Sequence, residues 1–482
     1  MLFNSIDFAV FLPIVFVLYW FVVNKNLKLQ NSLIVAASLF FYGWWDWRFL
    51  SLILFSAIVD YLIGRKLFHE ESLPKRKALL WVSILVNLGF LGFFKYHNFF
   101  LENFVAAFSF FGSEIKANSL NIILPVGISF YTFQTLSYTI DVYRKKLTPI
   151  KDFIAFLAFV SFFPQLVAGP IERATDLLPQ FFEKRKFDYA KAVDGMRQIL
   201  WGLFKKIVIA DNCAEFANLI FNNSADYSGS TLVFGAIFFT FQIYGDFSGY
   251  SDIAIGTSRL FGFDLKQNFA FPYFSRDMAE FWRRWHISLS TWFRDYLYIP
   301  LGGSRGGTWL KVRNTFIIFI VSGFWHGANW TFIVWGALNA VYFLPLLLTE
   351  NNRNNLDVVG EGKYLPSIRE FSSIALTFGL TVIAWIFFRA NSMEHAVSYI
   401  AGIFSPSLFS VPDFAGIGRA FRLFLLVIVF ILVEWRGRSD QYALEKLGLH
   451  WKRPVRCSLY FGIIILLFWF GQNEQQFIYF QF

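Results

Sequence analysis

Cysteine is nearly absent from this chain: only Cys213 and Cys457 occur among 482 residues, and they lie far apart. A disulfide framework and a cysteine-rich metal centre are therefore not expected. Charged residues make up only 16% of the chain and no long polar stretch divides the apolar blocks, so a separate soluble domain is not expected either. The opening MLFNSIDF has neither the basic start nor the small-residue cleavage site of a signal peptide, which predicts that the first apolar segment is kept. A dinucleotide fingerprint is missing, and the GGSRGG segment at 302–307 lacks the phosphate-loop pattern and reads as a flexible turn.

What is abundant is apolar and aromatic, 56% hydrophobic residues with 65 Phe and 17 Trp. A soluble core of this size cannot hide that much apolar surface. The composition predicts an all-α, polytopic membrane protein, a single integral-membrane domain over 1–482. In a soluble chain the net charge of +10 would suggest nucleic acid; here it points to basic cytoplasmic loops and membrane lipid, with no nucleic-acid partner. Apolar runs at 8–23, 31–45, 49–63, 78–94 and 122–143 read as spans. Lys25 and Lys28, then Arg65, Lys66, Lys75, Arg76 and Lys77, place the first and third loops in the cytoplasm and the N-terminus outside.

Beyond these spans, 153–167 is apolar but is interrupted by Pro164 and followed by Gly169 and Pro170, which predicts a re-entrant segment or a kinked connector. Lys184, Arg185, Lys186, Arg197, Lys205 and Lys206 suggest an amphipathic helix on the cytoplasmic face, either an anchor or a contact for coenzyme phosphates. Asp246 and Asp252 are poorly spaced for a shared metal site and are expected to pair with Arg276, Arg283 or Arg284. Further apolar segments lie at 371–388, 421–433 and 459–470, and a basic loop over 436–456 would leave the QQFIYFQF tail outside.

The most informative stretch runs from 281 to 339 and holds two of the six histidines, His286 and His326. Positions 314–349 carry no formal charge, and a continuous helix of those 36 residues would reach roughly 54 Å against a hydrocarbon core of about 30 Å. Such a helix is expected to be strongly tilted, overhanging or broken, and a break would fall around Gly323 and Gly327, with His326 at it. An ionisable residue at membrane depth reads as functional by default, the alternative being a histidine satisfied between packed helices. On helical spacing Ser322, Asn329 and Trp330 flank it and could fix its tautomer or contact substrate. Upstream, Phe281, Trp285, Leu289, Trp292 and Tyr296 share one helical face, and Arg283, His286, Ser290 and Arg294 the opposite one. One amphipathic helix is predicted, lying in the interface or turned inward so that its polar face, Arg283 and Ser290 included, lines a substrate cavity. His69, His97, His395 and His450 read as bystanders.

A buried neutral imidazole without metal ligands suits general-base work. It can take the proton of an acceptor hydroxyl as that oxygen attacks a thioester carbonyl, and return it to the leaving thiolate. On the residues alone a transporter stays open, since broken helices and buried polar groups also serve alternating access.

The strings FWRRWHISLSTWFRDYLYIPLGG at 281–303 and SGFWHGANWTFIVWGALN at 322–339 resemble the membrane-bound O-acyltransferase family, in its bacterial branch of alginate O-acetylation proteins. LPVGISFYTFQTLSYTIDVYR at 124–144, FFPQLVAGPIER at 162–173 and YGDFSGYSDIAIG at 244–256 look like the same branch in the same order, and YGWWDWRF at 42–49 fits it too. The resemblance implies a helical fold of roughly eleven spans with re-entrant and interfacial helices, in a bacterial inner membrane. It implies His326 as the catalytic histidine and His286 as a second one that polarises the carbonyl or positions the acceptor. It further implies acetyl-CoA as the cytoplasmic donor, with no bound cofactor or metal, and a separate extracytoplasmic transferase that modifies a polysaccharide such as alginate. Transfer of D-alanine or another acyl group from a carrier protein to a cell-wall polymer would use the same two histidines and stays open.

Overall fold

A computed structural model of the chain describes residues 1–112, 119–471 and 475–478. Among these residues every regular element is helical and no strand occurs. That is what lipid as solvent demands, because a helix pairs its backbone groups within one segment. Contacts group the residues into two compact units, 1–192 with 258–265, and 193–257 with 266–482.

The first unit contains α1 (Ile6–Val17), α2 (Leu27–Asp46), α3 (Leu50–His69), α4 (Leu73–Leu91), α5 (His97–Phe110), α6 (Ile128–Tyr143) and the short α7 (Phe153–Ser161), α8 (Phe163–Leu166) and α9 (Ala174–Leu177). The interruption expected in the 153–167 region falls between α7 and α8, and residues 155–166 around it are buried. The Phe159 carbonyl oxygen, near the break, accepts from the Gln134 amide at 2.7 Å and the Gln165 amide at 3.0 Å, so side chains pair backbone that the helix leaves open. Gly127 opens α6 with φ of 76°, and a Cβ there would lie 2.7 Å from the Leu166 carbonyl oxygen, so glycine is required for this approach.

The chain continues through α10 (Tyr189–Leu203), α11 (Asp211–Asn222), α12 (Gly229–Leu260), α13 (Met278–Arg284), α14 (Ile287–Phe293), α15 (Thr308–His326), α16 (Trp330–Leu348), α17 (Ile368–Arg389), α18 (Met393–Ile403), α19 (Ile417–Arg436) and α20 (Arg453–Phe470). Six helical stretches among the described residues are long and apolar enough to cross a membrane: Leu27–His69, Leu73–Phe110, Gly229–Leu260, Trp330–Leu348, Ile368–Arg389 and Arg453–Phe470. The other apolar runs expected as crossings form shorter or more charged helices.

The surface helix expected from the basic residues of 184–206 does not form as such. Lys184 and Lys186 are exposed, but Arg185 is buried and donates to the Asn31 side-chain oxygen at 2.7 Å, and Arg197 is buried on the carbonyl oxygens of Leu444 and Glu445. Lys205 pairs with Asp252 at 2.6 Å, and Lys206 with Asp246 at 2.8 Å and Asp211 at 2.7 Å. Asp246 and Asp252 thus take lysines rather than the arginines expected. The reason lies in two glycines of α12. A Cβ on Gly249 would stand 2.7 Å from the Gly202 carbonyl oxygen, and one on Gly245 2.9 Å from that of Lys205, so the backbones touch and the two lysines insert beside the helix. Of the QQFIYFQF tail, Phe477 and Ile478 are buried, and the Ile478 N–H donates to Asp246 at 2.7 Å; residues 479–482 lie outside the described residues.

Candidate active site

The single amphipathic helix expected over 281–296 is broken at its middle. α13 ends at Arg284, Trp285 is extended, and His286 takes a left-handed backbone with φ 44° and ψ 53° before α14 starts at Ile287. A non-glycine residue there is held against its preference, so the surroundings must fix it. Asn268 and its neighbours do so. The Asn268 carbonyl oxygen accepts the Ile287 N–H at 2.9 Å, and the Ala270 N–H donates to the Arg284 carbonyl oxygen at 2.9 Å. The Asn268 Oδ1 faces the Ser288 N–H at 3.2 Å, the Ser288 hydroxyl at 2.9 Å and His286 Nδ1 at 3.1 Å, while its Nδ2 donates to Ser251 of α12 at 3.2 Å.

This network settles the tautomer. A backbone N–H can only donate, so the Asn268 atom facing Ser288 is oxygen, and the His286 nitrogen facing that same oxygen carries the proton. The neutral ring then keeps its lone pair on Nε2. Burial pushes the His286 pKa down to about 3, so the ring is neutral near pH 7.

The break also scatters the polar face read from the sequence. Arg283 donates to the carbonyl oxygens of Asn352 and Asn355, each at 2.8 Å, and so ties down the loop after α16. Ser290 and Arg294 line a cavity, and His286 alone turns into the core, 1% exposed, with Phe247 at 4.6 Å between ring centroids.

His326 is the last residue of α15, where the long uncharged run was expected to break. Gly327 is extended, and Asn329 caps α16 by accepting the Thr331 N–H at 3.0 Å and donates to the Asn391 carbonyl oxygen at 3.1 Å. Because the helix stops at His326, Asn329 and Trp330 do not share its face, and Trp330 is half exposed. Ser322, one turn back, is buried on the same helix. α15 and α16 meet backbone to backbone: a Cβ on Gly323 would lie 2.2 Å from the Phe332 carbonyl oxygen, and one on Gly336 2.3 Å from that of Phe319. His326 is buried with Trp325 at 4.9 Å, Trp335 at 5.2 Å and Phe388 at 5.3 Å between centroids. The His286 ring stands 6.4 Å from it.

The two histidines singled out in the sequence are thus neighbours. Asn268, Trp335 and Phe388 complete their surroundings without any local pattern that marks them. A cavity of about 560 Å³ comes close, with Ser290 and Ser322 among its lining residues but neither histidine, and Arg294, Lys311 and Arg353 also on its wall. Among the described residues, no group of three His, Cys, Asp or Glu side chains is placed to hold a metal ion.

Two buried imidazoles, 6.4 Å apart between ring centroids, thus stand near an open cavity. Residues 144–379 match the model of the membrane-bound O-acyltransferase family. A probable alginate O-acetylase AlgI of Pseudomonas putida is 36% identical over the whole of both chains. The peptidoglycan O-acetyltransferase of Helicobacter pylori is 32% identical, covering all of this chain and 98% of that protein. The teichoic acid D-alanyltransferase of Bacillus subtilis is 28% identical over 57% of this chain and 71% of its own length. The chain belongs to the membrane-bound O-acyltransferase family, and it is a multi-pass membrane enzyme that transfers acyl groups to oxygen.

Proposed function

We propose that this enzyme takes an acetyl group from acetyl-CoA on the cytoplasmic side and passes it outward for O-acetylation of a polysaccharide such as alginate, through a separate extracytoplasmic transferase. Relatives named as alginate and peptidoglycan O-acetylating proteins match along the whole chain, whereas the D-alanyltransferase matches little more than half, which favours acetyl over D-alanyl. The observation that carries the reading is the buried imidazole pair of His286 and His326, 6.4 Å apart.

In this reading His326 is the base. It takes the proton of the acceptor hydroxyl as that oxygen attacks the thioester carbonyl carbon; the carbon–sulfur bond breaks, and the proton passes to the leaving thiolate. His286 positions the acceptor. With its one proton engaged by Asn268, the neutral ring offers Nε2 as a hydrogen-bond acceptor for a second hydroxyl and is no donor to the carbonyl. The cavity is the donor's path: Arg294, Lys311 and Arg353 meet the phosphates, and Ser290 and Ser322 line the way towards His326. Arg283 and Asn329 support backbone, and Trp330 has no part in this path.

The test is reconstitution of the full chain with labelled acetyl-CoA. His326→Ala should abolish labelled product while membrane abundance stays unchanged, and retained labelling refutes the base assignment. Transfer from a D-alanyl carrier but not from acetyl-CoA would overturn the acetyl assignment alone.

A further inference from the structure

The corner between α3 and α4 carries a groove remote in sequence from the acyl-transfer residues. Leu62, Arg65, Lys66 and His69 fall at i, i+3, i+4 and i+7 on the last turns of α3. Lys75, Ala78, Leu79 and Val82 repeat the same spacing at the start of α4, and both faces line one open groove of about 710 Å³. Its charged residues gather at the corner, and its aliphatic residues lie further along each helix.

The corner is firmly built. Buried Arg76 donates to the carbonyl oxygens of Leu67, Glu70 and Tyr143, and lies over the Tyr143 ring at 5.6 Å. Its charge is engaged in holding the turn. Arg65, Lys66 and Lys75 have no ion-pair partner among the described residues. Glu70, the one acid on the groove wall, accepts the Ser72 N–H at 2.9 Å. The basic end therefore holds three cations against one carboxylate. Below it, Phe55, Ile58 and Leu62 of α3 and Val82 and Leu85 of α4 are exposed on stretches apolar enough to cross a membrane. That wall is apolar and open, a surface that an acyl chain can cover.

We infer that this corner binds an anionic phospholipid, its phosphate on Arg65, Lys66 and Lys75 and one acyl chain along Leu62, Leu79 and Val82. A soluble phosphate compound would use the cations and leave the aliphatic wall bare. A zwitterionic lipid would use the wall and bring its own cation to the basic end.

The test is lipid retention by the purified full-length protein, read by native mass spectrometry after equilibration with mixed phosphatidylglycerol and phosphatidylcholine. The wild type should retain phosphatidylglycerol in preference. Each cation near an anionic lipid contributes on the order of a fivefold change in affinity, so Lys66→Gln with Lys75→Gln should reduce retention roughly tenfold to thirtyfold. Lys184→Gln with Lys186→Gln removes the same charge elsewhere in this unit and should leave retention unchanged. All four lysines are exposed, so neither pair threatens folding. Equal losses in both double variants, or a wild type without preference for the anionic lipid, would overturn the site. Displacement of the bound lipid by an equal concentration of glycerol phosphate would overturn the lipid assignment, and resistance to it supports the acyl-chain contact.

Discussion

Asn268 and His286 are 18 residues apart in sequence and 3.1 Å apart between the amide oxygen and Nδ1, and this one contact assigns the histidine's proton. The assignment matters because it decides which kind of group the imidazole can bind at its other nitrogen. Under the proposed function Asn268 is a positioning residue, acting through His286.

Replacing the amide by a carboxylate, Asn268→Asp, keeps the acceptor but sets a negative charge beside the ring, which favours imidazolium. In the wild type the His286 pKa is pushed down to about 3, so Nε2 stays unprotonated at any working pH above it. In the variant the ring should protonate as pH falls through a value raised by about 1 to 3 units, and the Nε2 lone pair is then lost. The acid limb of the pH–rate profile for acyl transfer should move up accordingly, with activity preserved at high pH. An acid limb that stays in place at normal membrane abundance would remove His286 from the acceptor site.

The helical hairpin before and after His326 makes a second prediction. Gly323→Ala would set a methyl 2.2 Å from the Phe332 carbonyl oxygen, a rigid neighbour, and force α15 away from α16. Overpacking of this kind typically costs about 1–3 kcal/mol, and acyl transfer should fall as well because His326 is three residues on. Gly379→Ala in α17 meets nothing within 4 Å and should stabilise by about 0.5–1 kcal/mol, the helix-propensity gain of alanine over glycine. Thermal unfolding of the two variants in one detergent checks the contrast; similar shifts would mean that the hairpin is not tightly packed.

How far these features could be read from the sequence depended on range. The break at His326 was legible because a 36-residue uncharged run outlasts any bilayer, and charge counting needs no tertiary knowledge. The break at His286 was not, since the 3- and 4-residue spacings around it fit a helix and the residue that interrupts it is Asn268, which pairs with the backbone from outside the repeat. Lys205 and Lys206 read as a surface pair for a similar reason. Their burial depends on Gly245 and Gly249, some forty residues on, and only contact between the two backbones reveals it.

That buried charge yields the third prediction. Lys205 and Asp252 are 2.6 Å apart, with side chains only 4% and 11% exposed. Lys205→Met leaves a carboxylate buried without its cation and should destabilise by about 3–5 kcal/mol. Adding Asp252→Asn should recover most of the loss, because the neutral amide can keep the Gln198 contact made at 2.9 Å. If the double variant is no more stable than the single one, the lysine acts through packing rather than charge.

The cations on the cavity wall can be ranked before any measurement. Arg294 is paired with Asp295 at 2.7 Å, and Lys311 lies 3.7 Å from Glu350, so part of each charge is already offset. Arg353 has no ion-pair partner among the described residues and should matter most to an incoming polyphosphate. Arg353→Gln should raise KM for acetyl-CoA about fivefold, the ~1 kcal/mol of a favourable solvent-exposed charge contact, and leave kcat unchanged because the contact is the same in ground and transition states. Lys311→Gln and Arg294→Gln should do less. The effect should shrink as salt approaches 1 M, where the screening length falls to about 3 Å. A kcat effect instead, or a KM shift that salt does not touch, would place the donor's phosphates somewhere other than this cavity.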